Sequence, residues 1–262
     1  MTFQPSETIE LHTRLMKCAL EVEHSRAYWQ RIDPEHEAPS AEDAFDQYWF
    51  GARSLARVKR LLTEFRERYD SFPSALRVLH HWEHMEPTTR RVICHWHLQL
   101  ADPLYRAFTG AYLVERREQS RQEMTRDLVV QWIEGFVPQR WTLATRVQFA
   151  RKLLGSATSA GLLRGTRDPR SLQLPRVDDD ALTYMLYLLR EVTFHGTLLA
   201  NPYFDSVGLA GEELERRLRP LAALRFRRQG DLVDFGWQYQ TLADWADATI
   251  LVGDPIHVGE AS

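Results

Sequence analysis

Several features that mark specialised classes of protein are missing from the sequence. It has only two cysteines, Cys18 and Cys94, which excludes a disulfide scaffold and a four-cysteine zinc site and favours a reducing compartment. Its 33 basic and 36 acidic residues leave a net charge of −3, so bulk charge does not attract the chain to nucleic acid or to acidic membranes. No run approaches the roughly 18 apolar residues of a membrane helix, and the first residues lack a signal-peptide pattern. We therefore expect a cytoplasmic protein.

Glycine and proline are also scarce, at 13 and 12 residues, whereas hydrophobic residues make up 44% of the chain. Long segments mix Leu, Ala, Arg and Glu, which favours packed helices over disorder. We predict a mainly α protein with three parts. An N-terminal helical bundle covers residues 1–137, a helix-turn-helix or winged-helix-like domain with a small β-hairpin wing covers 138–250, and a tail covers 251–262.

In the N-terminal part, apolar spacing and capping residues predict a series of helices. The first helix ends at Asp33, because Pro34 disfavours helix in the residue before it. Ser40 and Asp43 form a capping box for a long second helix that ends near Asp70. Further helices are expected near 74–85, 88–100, 103–118 and 123–134.

The C-terminal part follows the order of a winged-helix domain. Residues 142–154 and 156–163 have the pattern of two helices that meet at Gly155, which is a helix-turn-helix arrangement. Two alternating apolar runs around Gly230 and Asp231 predict a β-hairpin. The remaining predicted helices begin at the acidic triplet 178–180, at Gly211 and at Thr241.

The basic residues of this part are concentrated in two runs. Residues 139–176 contain eight basic side chains and one acidic one, and residues 216–228 contain six arginines and no acid. Such patches would release counterions from a phosphate backbone on binding. The residues predicted to contact nucleic acid are Arg146, Arg151, Lys152, Arg164, Arg167, Arg216, Arg217, Arg225, Arg227 and Arg228.

A simpler interpretation of the two runs stays open. The segments that follow each run, 177–215 and 229–262, are acidic, so the arginines could pair with neighbouring carboxylates on solvated helix faces. Surface ion pairs form readily and contribute little stability. DNA binding therefore requires that the two runs converge in the fold into one positive surface.

Five of the ten histidines, between His80 and His97, form a second candidate site. His80 and His84 lie one helical turn apart with Glu83 between them, a spacing that can chelate a metal. We favour rim positions around a core, because a hydrolytic site needs a third ligand and a substrate chamber. Phosphate-binding, dinucleotide-binding and nucleophile-elbow motifs are absent from the sequence. We expect no catalytic residue, no metal and no cofactor.

Short motifs follow one another between residues 50 and 247. They are RVKRLL from Arg57, FPSAL from Phe72, ICHWHLQLADPLYRAF from Ile93, WTLAT from Trp141, AGLL from Ala160, ALTYMLYL from Ala181 and FDSVGL from Phe204. This order resembles the BrxA family of BREX bacteriophage-defence systems. The resemblance implies a small, non-enzymatic helical protein that binds DNA and works beside a methyltransferase, an ATPase and other defence proteins. The longer N-terminal helix and the histidines depart from the family pattern.

Three functional hypotheses follow. The leading one is a double-stranded DNA-binding accessory protein of a phage-defence system that contacts the phosphate backbone with weak sequence preference. The second is a protein-interaction adaptor of the same complex, whose basic patch meets acidic partner surfaces. Metal-dependent hydrolysis at the histidines is the third.

The hairpin arginines provide a first test. Neutralising Arg225, Arg227 and Arg228 together should weaken the binding of duplex DNA whatever its sequence, because backbone contacts carry no sequence information. The dependence of affinity on salt should also become flatter. Filter binding at two salt concentrations measures both effects, and an unchanged salt dependence would exclude the hairpin as a DNA contact.

Overall fold

The fold is known from a computed structural model that describes residues 4–33, 39–119, 122–230 and 232–251. Helices dominate, and two small antiparallel sheets accompany them, which confirms the mainly α fold with a β-hairpin. Except for Leu251, the predicted tail lies outside the described residues, as does Asp231 of the predicted hairpin turn. Within the described ranges, no helix has both the length and the apolar character needed to cross a membrane.

The N-terminal part consists of short helices and one very short strand. In chain order they are α1 (Arg14–Lys17), α2 (Val22–Arg31), α3 (Ala41–Asp46), α4 (Leu55–Phe65), α5 (Pro73–His81), α6 (Pro87–Ala101), α7 (Pro103–Ala107), α8 (Leu113–Glu118), β1 (Glu123–Met124) and α9 (Arg126–Phe136). A π-helical turn, Arg66–Asp70, extends α4, and another, Phe108–Tyr112, joins α7 to α8. The four helices expected between residues 74 and 134 are confirmed with small shifts of their ends.

The prediction of one continuous first helix is wrong. The chain leaves the helical conformation between α1 and α2, where Glu21 has a left-handed φ of 51°. The guanidinium of Arg68 donates hydrogen bonds to the carbonyl oxygens of Leu20 and Ala19 at 2.9 and 3.0 Å. These carbonyls face a side chain from another helix instead of continuing the helical ladder, so a tertiary contact overrides the local pattern.

The long second helix is also interrupted, although the capping box at Ser40 and Asp43 is confirmed. Left-handed φ angles at Tyr48 and Gly51, 53° and 71°, separate α3 from α4. The segment between them buries the consecutive aromatic residues 49 and 50 in the core. In this segment the turn lets both aromatic side chains reach the core, so a tertiary contact again overrides the local helical pattern.

The C-terminal part combines longer helices with the two sheets. Its elements are α10 (Leu143–Ser159), β2 (Leu163–Arg164), β3 (Arg170–Leu172), α11 (Asp179–Glu191), α12 (Pro202–Ser206), α13 (Gly211–Leu218), β4 (Leu224–Gln229), β5 (Leu232–Trp237) and α14 (Leu242–Thr249). The three-stranded sheet has the order β1-β3-β2, and β4 pairs with β5 in the predicted hairpin. Side-chain caps at Asp178 and Thr241 begin α11 and α14 as expected.

The helix-turn-helix predicted at Gly155 is wrong, because α10 runs without a break through this residue. Leu153, Leu154, Ser156 and Ala157 on either side of the glycine are buried. A glycine inside a helix costs only about 1 kcal/mol, which the burial of two leucines outweighs. The second element of that pattern, beyond residue 159, is a turn that leads into β2.

The hydrophobic core contains side chains from both sides of residue 138. Helices α9 and α10 pack against each other, and α6 packs against α11. In α6 every residue from Val92 to Leu100 is buried, so this helix lies at the centre of the molecule. The division into two domains at residue 138 stays a prediction.

Gly155 and Gly110 offer a matched test of the helix assignment. We expect Gly155→Ala to raise the free energy of unfolding by about 0.5–1 kcal/mol, because a Cβ there meets nothing within 4 Å and alanine favours helix. Gly110→Ala should lower it, since the new Cβ would lie 2.5 Å from Cβ of Pro202 and 2.6 Å from its carbonyl oxygen. Urea unfolding measures both. A destabilised Gly155→Ala protein would contradict the continuous helix.

Candidate nucleic-acid interface

Half of the ten predicted contact residues form ion pairs with carboxylates. Arg217 Nη2 lies 2.9 Å from Asp179 Oδ1, and Arg225 Nε lies 3.8 Å from Asp234 Oδ2 across the hairpin. The other three pairs are Arg146 with Glu134, Arg216 with Glu213, and Arg228 with Glu215. Most arginines of the second basic run, residues 216–228, therefore face carboxylates of α13 and of neighbouring elements, as the simpler interpretation predicts.

The other five residues have no ion pair within the described part of the chain. Arg151 and Lys152 lie on α10, Arg164 on β2, Arg167 in the loop between β2 and β3, and Arg227 on β4. All are exposed except Lys152, which is half-buried. The free positive charge is thus concentrated in the first run and at one position of the hairpin.

The first run lines a groove of about 740 Å³ between α2, the start of α6 and α10. Its basic side chains are Arg53, Arg91, Arg151 and Lys152. Arg53 lies in the turn before α4, and Arg91 lies on the second turn of α6. No ion pair among the described residues involves any of the four. Three distant parts of the chain therefore bring four unneutralised cations to one depression.

Two carboxylates also line the groove, and each is neutralised by a cation outside it. Glu21 Oε2 lies 2.8 Å from Nδ1 of His24, and its Oε1 accepts a hydrogen bond from Arg57 Nη2 over 2.6 Å. The hydrogen bond with His24 and the charge of Arg57 lower the pKa of Glu21 to about 2. Glu23 lies 3.1 Å from Arg90 Nη1. These pairs leave the charges of the four lining cations available to a ligand.

A second cleft lies near the groove and reaches the second basic run. Beyond α10, Gly161 adopts a φ of +80°, and a Cβ there would lie 3.5 Å from Pro175 and 3.7 Å from Arg91 of the groove. Pro175 also lines a cleft of about 780 Å³ that extends to Arg216 and Arg217 of α13. That cleft is of mixed charge, because the acidic triplet 178–180 and Glu213 line it too. Carboxylates therefore interrupt the positive charge around the second run, and with it the single positive surface expected from the sequence.

Sequence reasoning missed Arg53 and Arg91. Neither belongs to a basic run of the C-terminal part, and no motif or spacing links them to residues 151 and 152. Their place in the groove depends on how α4 and α6 pack beside α10. The adjacent pair Arg90 and Arg91 near the start of a buried helix was the only available signal.

The histidines do not form one site, and the prediction of rim positions is wrong for His95 and His97, which are buried in the core. The Nδ1 atoms of His80 and His81 lie 2.8 and 2.9 Å from the carbonyl oxygens of Trp29 and Arg77. His95 bridges Tyr105 and Ser206, and His97 Nε2 lies 2.7 Å from the hydroxyl of Tyr184. Among the described residues, no group of three or more His, Cys, Asp and Glu side chains is arranged to hold a metal ion.

Comparisons with known proteins give a likeness of fold only. No protein-family profile matches the chain, and no curated protein is significantly similar in sequence. A crystal structure of an uncharacterized protein from Magnetospirillum magneticum is similar, with a TM-score of 0.52 and 15% sequence identity. The similarity covers 70% of this chain and 98% of that protein. At this identity the comparison supports the fold and carries no function.

The buried histidines generate a pH prediction. Burial lowers the pKa of His97 from 6.5 to about 3, so the folded protein needs the neutral ring. This contribution is complete above pH 6.5 and is lost as the pH falls towards 3. As the pH falls from 7 to 5, the free energy of unfolding should fall less steeply for His97→Gln than for the unaltered protein. Below pH 6.5 the two slopes should differ by about 1.4 kcal/mol per pH unit.

Urea unfolding at several pH values measures this slope. His81→Gln, which removes an exposed ring from the neighbouring helix, is the control for the loss of a histidine as such. A His97→Gln protein with the original slope would contradict a neutral, buried His97.

Proposed function

We propose that the protein is a non-enzymatic, cytoplasmic accessory protein that binds double-stranded DNA through basic contacts to the phosphate backbone. Carboxylates interrupt the single positive surface expected from the two basic runs, so the proposal rests on the groove between α2, α6 and α10 alone, where four cations have no ion pair within the described residues. The order of motifs that resembles the BrxA family supports a role in a phage-defence system beside other defence proteins. Cys18 and Cys94 are both buried and unpaired, which agrees with a reducing compartment.

Backbone contact follows from the kind of donors on this surface. Arg151 and Lys152 present cations on α10, and Arg164 and Arg167 are exposed in β2 and in the loop that follows it. Arginine forks match the oxygens of a phosphate, and contacts to phosphate fix position without reading sequence. Weak sequence preference and strong salt dependence are the expected properties.

The hairpin contributes less in this proposal. Arg225 and Arg228 must leave Asp234 and Glu215 before they can reach a phosphate, whereas Arg227 is free of any ion pair within the described residues. The loss of these ion pairs offsets part of what Arg225 and Arg228 would gain from a phosphate contact, whereas Arg227 has no such pair to lose. Arg227 should therefore account for most of the loss of affinity in the triple hairpin variant.

The hairpin also favours the adaptor function as a second candidate. Leu232 and Val233 expose 77% and 42% of their surface on β5. Exposed apolar side chains beside paired charges are typical of protein interfaces rather than of phosphate contacts. On this alternative the protein contacts another defence component through its hairpin and does not bind DNA.

A double variant of α10 tests DNA binding. We expect Arg151→Gln with Lys152→Gln to weaken duplex binding about tenfold and to reduce the salt slope by about 2, because two phosphate contacts are lost. Fluorescence anisotropy at several salt concentrations measures both. Arg31→Gln with Arg60→Gln is the control, since it removes the same charge from exposed positions outside the groove. Equal losses in both proteins would show that net charge alone matters, and no duplex binding at all would favour the adaptor.

A further inference from the structure

The size of the groove limits what can enter it. Its volume of about 740 Å³ lies within the range of roughly 300–1,000 Å³ that is typical of sites for small molecules. A nucleotide-sized group fits such a site. The body of a DNA duplex does not, because the duplex is wider than its own major groove, which already measures about 12 Å. A duplex that contacts the rim of the groove leaves the interior empty unless a strand end enters it.

The lining of the groove selects phosphate over base. Proteins that hold single-stranded bases stack them on aromatic rings. Among the described residues, no Phe, Tyr or Trp lines the groove. The one aromatic ring in that described lining is the imidazole of His24, which is hydrogen-bonded to Glu21 and packs edge-on against Phe50 at a centroid distance of 5.7 Å. The interior therefore offers charge and hydrogen-bond donors without a stacking platform.

Backbone donors add to the four cations. Helix α2 has ten residues, and Glu21, the residue that precedes it, makes no side-chain cap. The N–H groups of Val22, Glu23 and His24 have no acceptor within the described residues, and all three residues line the groove. Free N–H groups at a helix N-terminus bind phosphate oxygens, and the helix dipole favours a negative charge there.

We propose that the groove binds the terminal phosphate of a DNA strand, a phosphomonoester, in preference to the internal diesters of the backbone. A terminal monoester carries about −1.5 to −2 charges at neutral pH and three strong acceptor oxygens, whereas an internal diester carries one charge. It also projects beyond the last base pair, so it can enter a depression that excludes the duplex. Arg53 and Arg91, which lie outside both basic runs, are its specific contacts. This inference rests on the proposed DNA binding.

Three duplexes of identical sequence test it: a dumbbell closed by loops at both ends, a blunt duplex with 5′-hydroxyl ends and the same blunt duplex with 5′-phosphates. Competition measured by fluorescence anisotropy should show that the phosphorylated duplex binds about tenfold more tightly than the other two, as expected for added charge-assisted hydrogen bonds. Arg53→Gln with Arg91→Gln should abolish this preference, so that the phosphorylated duplex binds no more tightly than the other two.

Two matched proteins serve as controls. Arg164→Gln with Arg167→Gln should weaken binding to all three duplexes equally, because these residues lie outside the groove. Arg31→Gln with Arg60→Gln should keep the preference for the phosphorylated end. Arg53 and Arg91 are exposed, so urea unfolding should show that their variants remain folded.

The outcomes separate this inference from the proposed function. Equal and tight binding of the three duplexes overturns the end site and leaves backbone binding intact. A preference for the phosphate that survives Arg53→Gln with Arg91→Gln also overturns it, because the end then binds elsewhere. No binding of any duplex overturns both proposals.

Discussion

The buried guanidinium of Arg68 holds the backbone that leads into α2, the helix that forms one side of the groove. Arg68 is 3% exposed and has no carboxylate partner among the described residues; instead it donates to the carbonyl oxygens of residues 18–20 and lies against the rings of Phe65 and Tyr69. An arginine side chain cannot lose its proton in a protein, so its five donors must be satisfied where it is buried. The backbone between α1 and α2 supplies the acceptors. This requirement breaks the first helix and turns the N-terminus of α2 towards α10.

Helix α6 links the core to the candidate site in a similar way. Its residues 92–100 are all buried, so packing on every side fixes the position of the helix. Arg90 and Arg91 precede this buried stretch and differ in their partners. Arg90 forms an ion pair with Glu23, whereas Arg91 lines the groove and has no ion pair within the described residues. The charge of the groove is therefore set by core packing, because a shift of α6 would move both arginines relative to α2.

The two basic runs have a similar local net charge in the sequence but differ in how many of their arginines form ion pairs in the structure. Both runs have a large local excess of arginine, yet the second is largely neutralised, because α13 places Glu213 and Glu215 one helical turn from Arg216 and Arg219 and beside Arg228. In the first run, as far as the described residues show, only Arg146 and Arg170 lie close to carboxylates, Glu134 and Asp168. A count along the chain treats both runs alike, whereas the distances between side chains distinguish them.

The sequence by itself determined the mainly α fold, the hairpin, most helix starts and the basic character of α10, because these depend on capping residues, apolar spacing and side-chain charge that act over a few neighbouring residues. It did not determine the breaks near residues 20 and 50 or the continuity of α10 through Gly155. Those features depend on burial against distant parts of the chain, which exceeds the small local preferences of single residues. The groove itself was decided only by tertiary structure, since Arg53, Arg91, Arg151 and Lys152 are far apart in sequence and become neighbours only when α2, α6 and α10 pack.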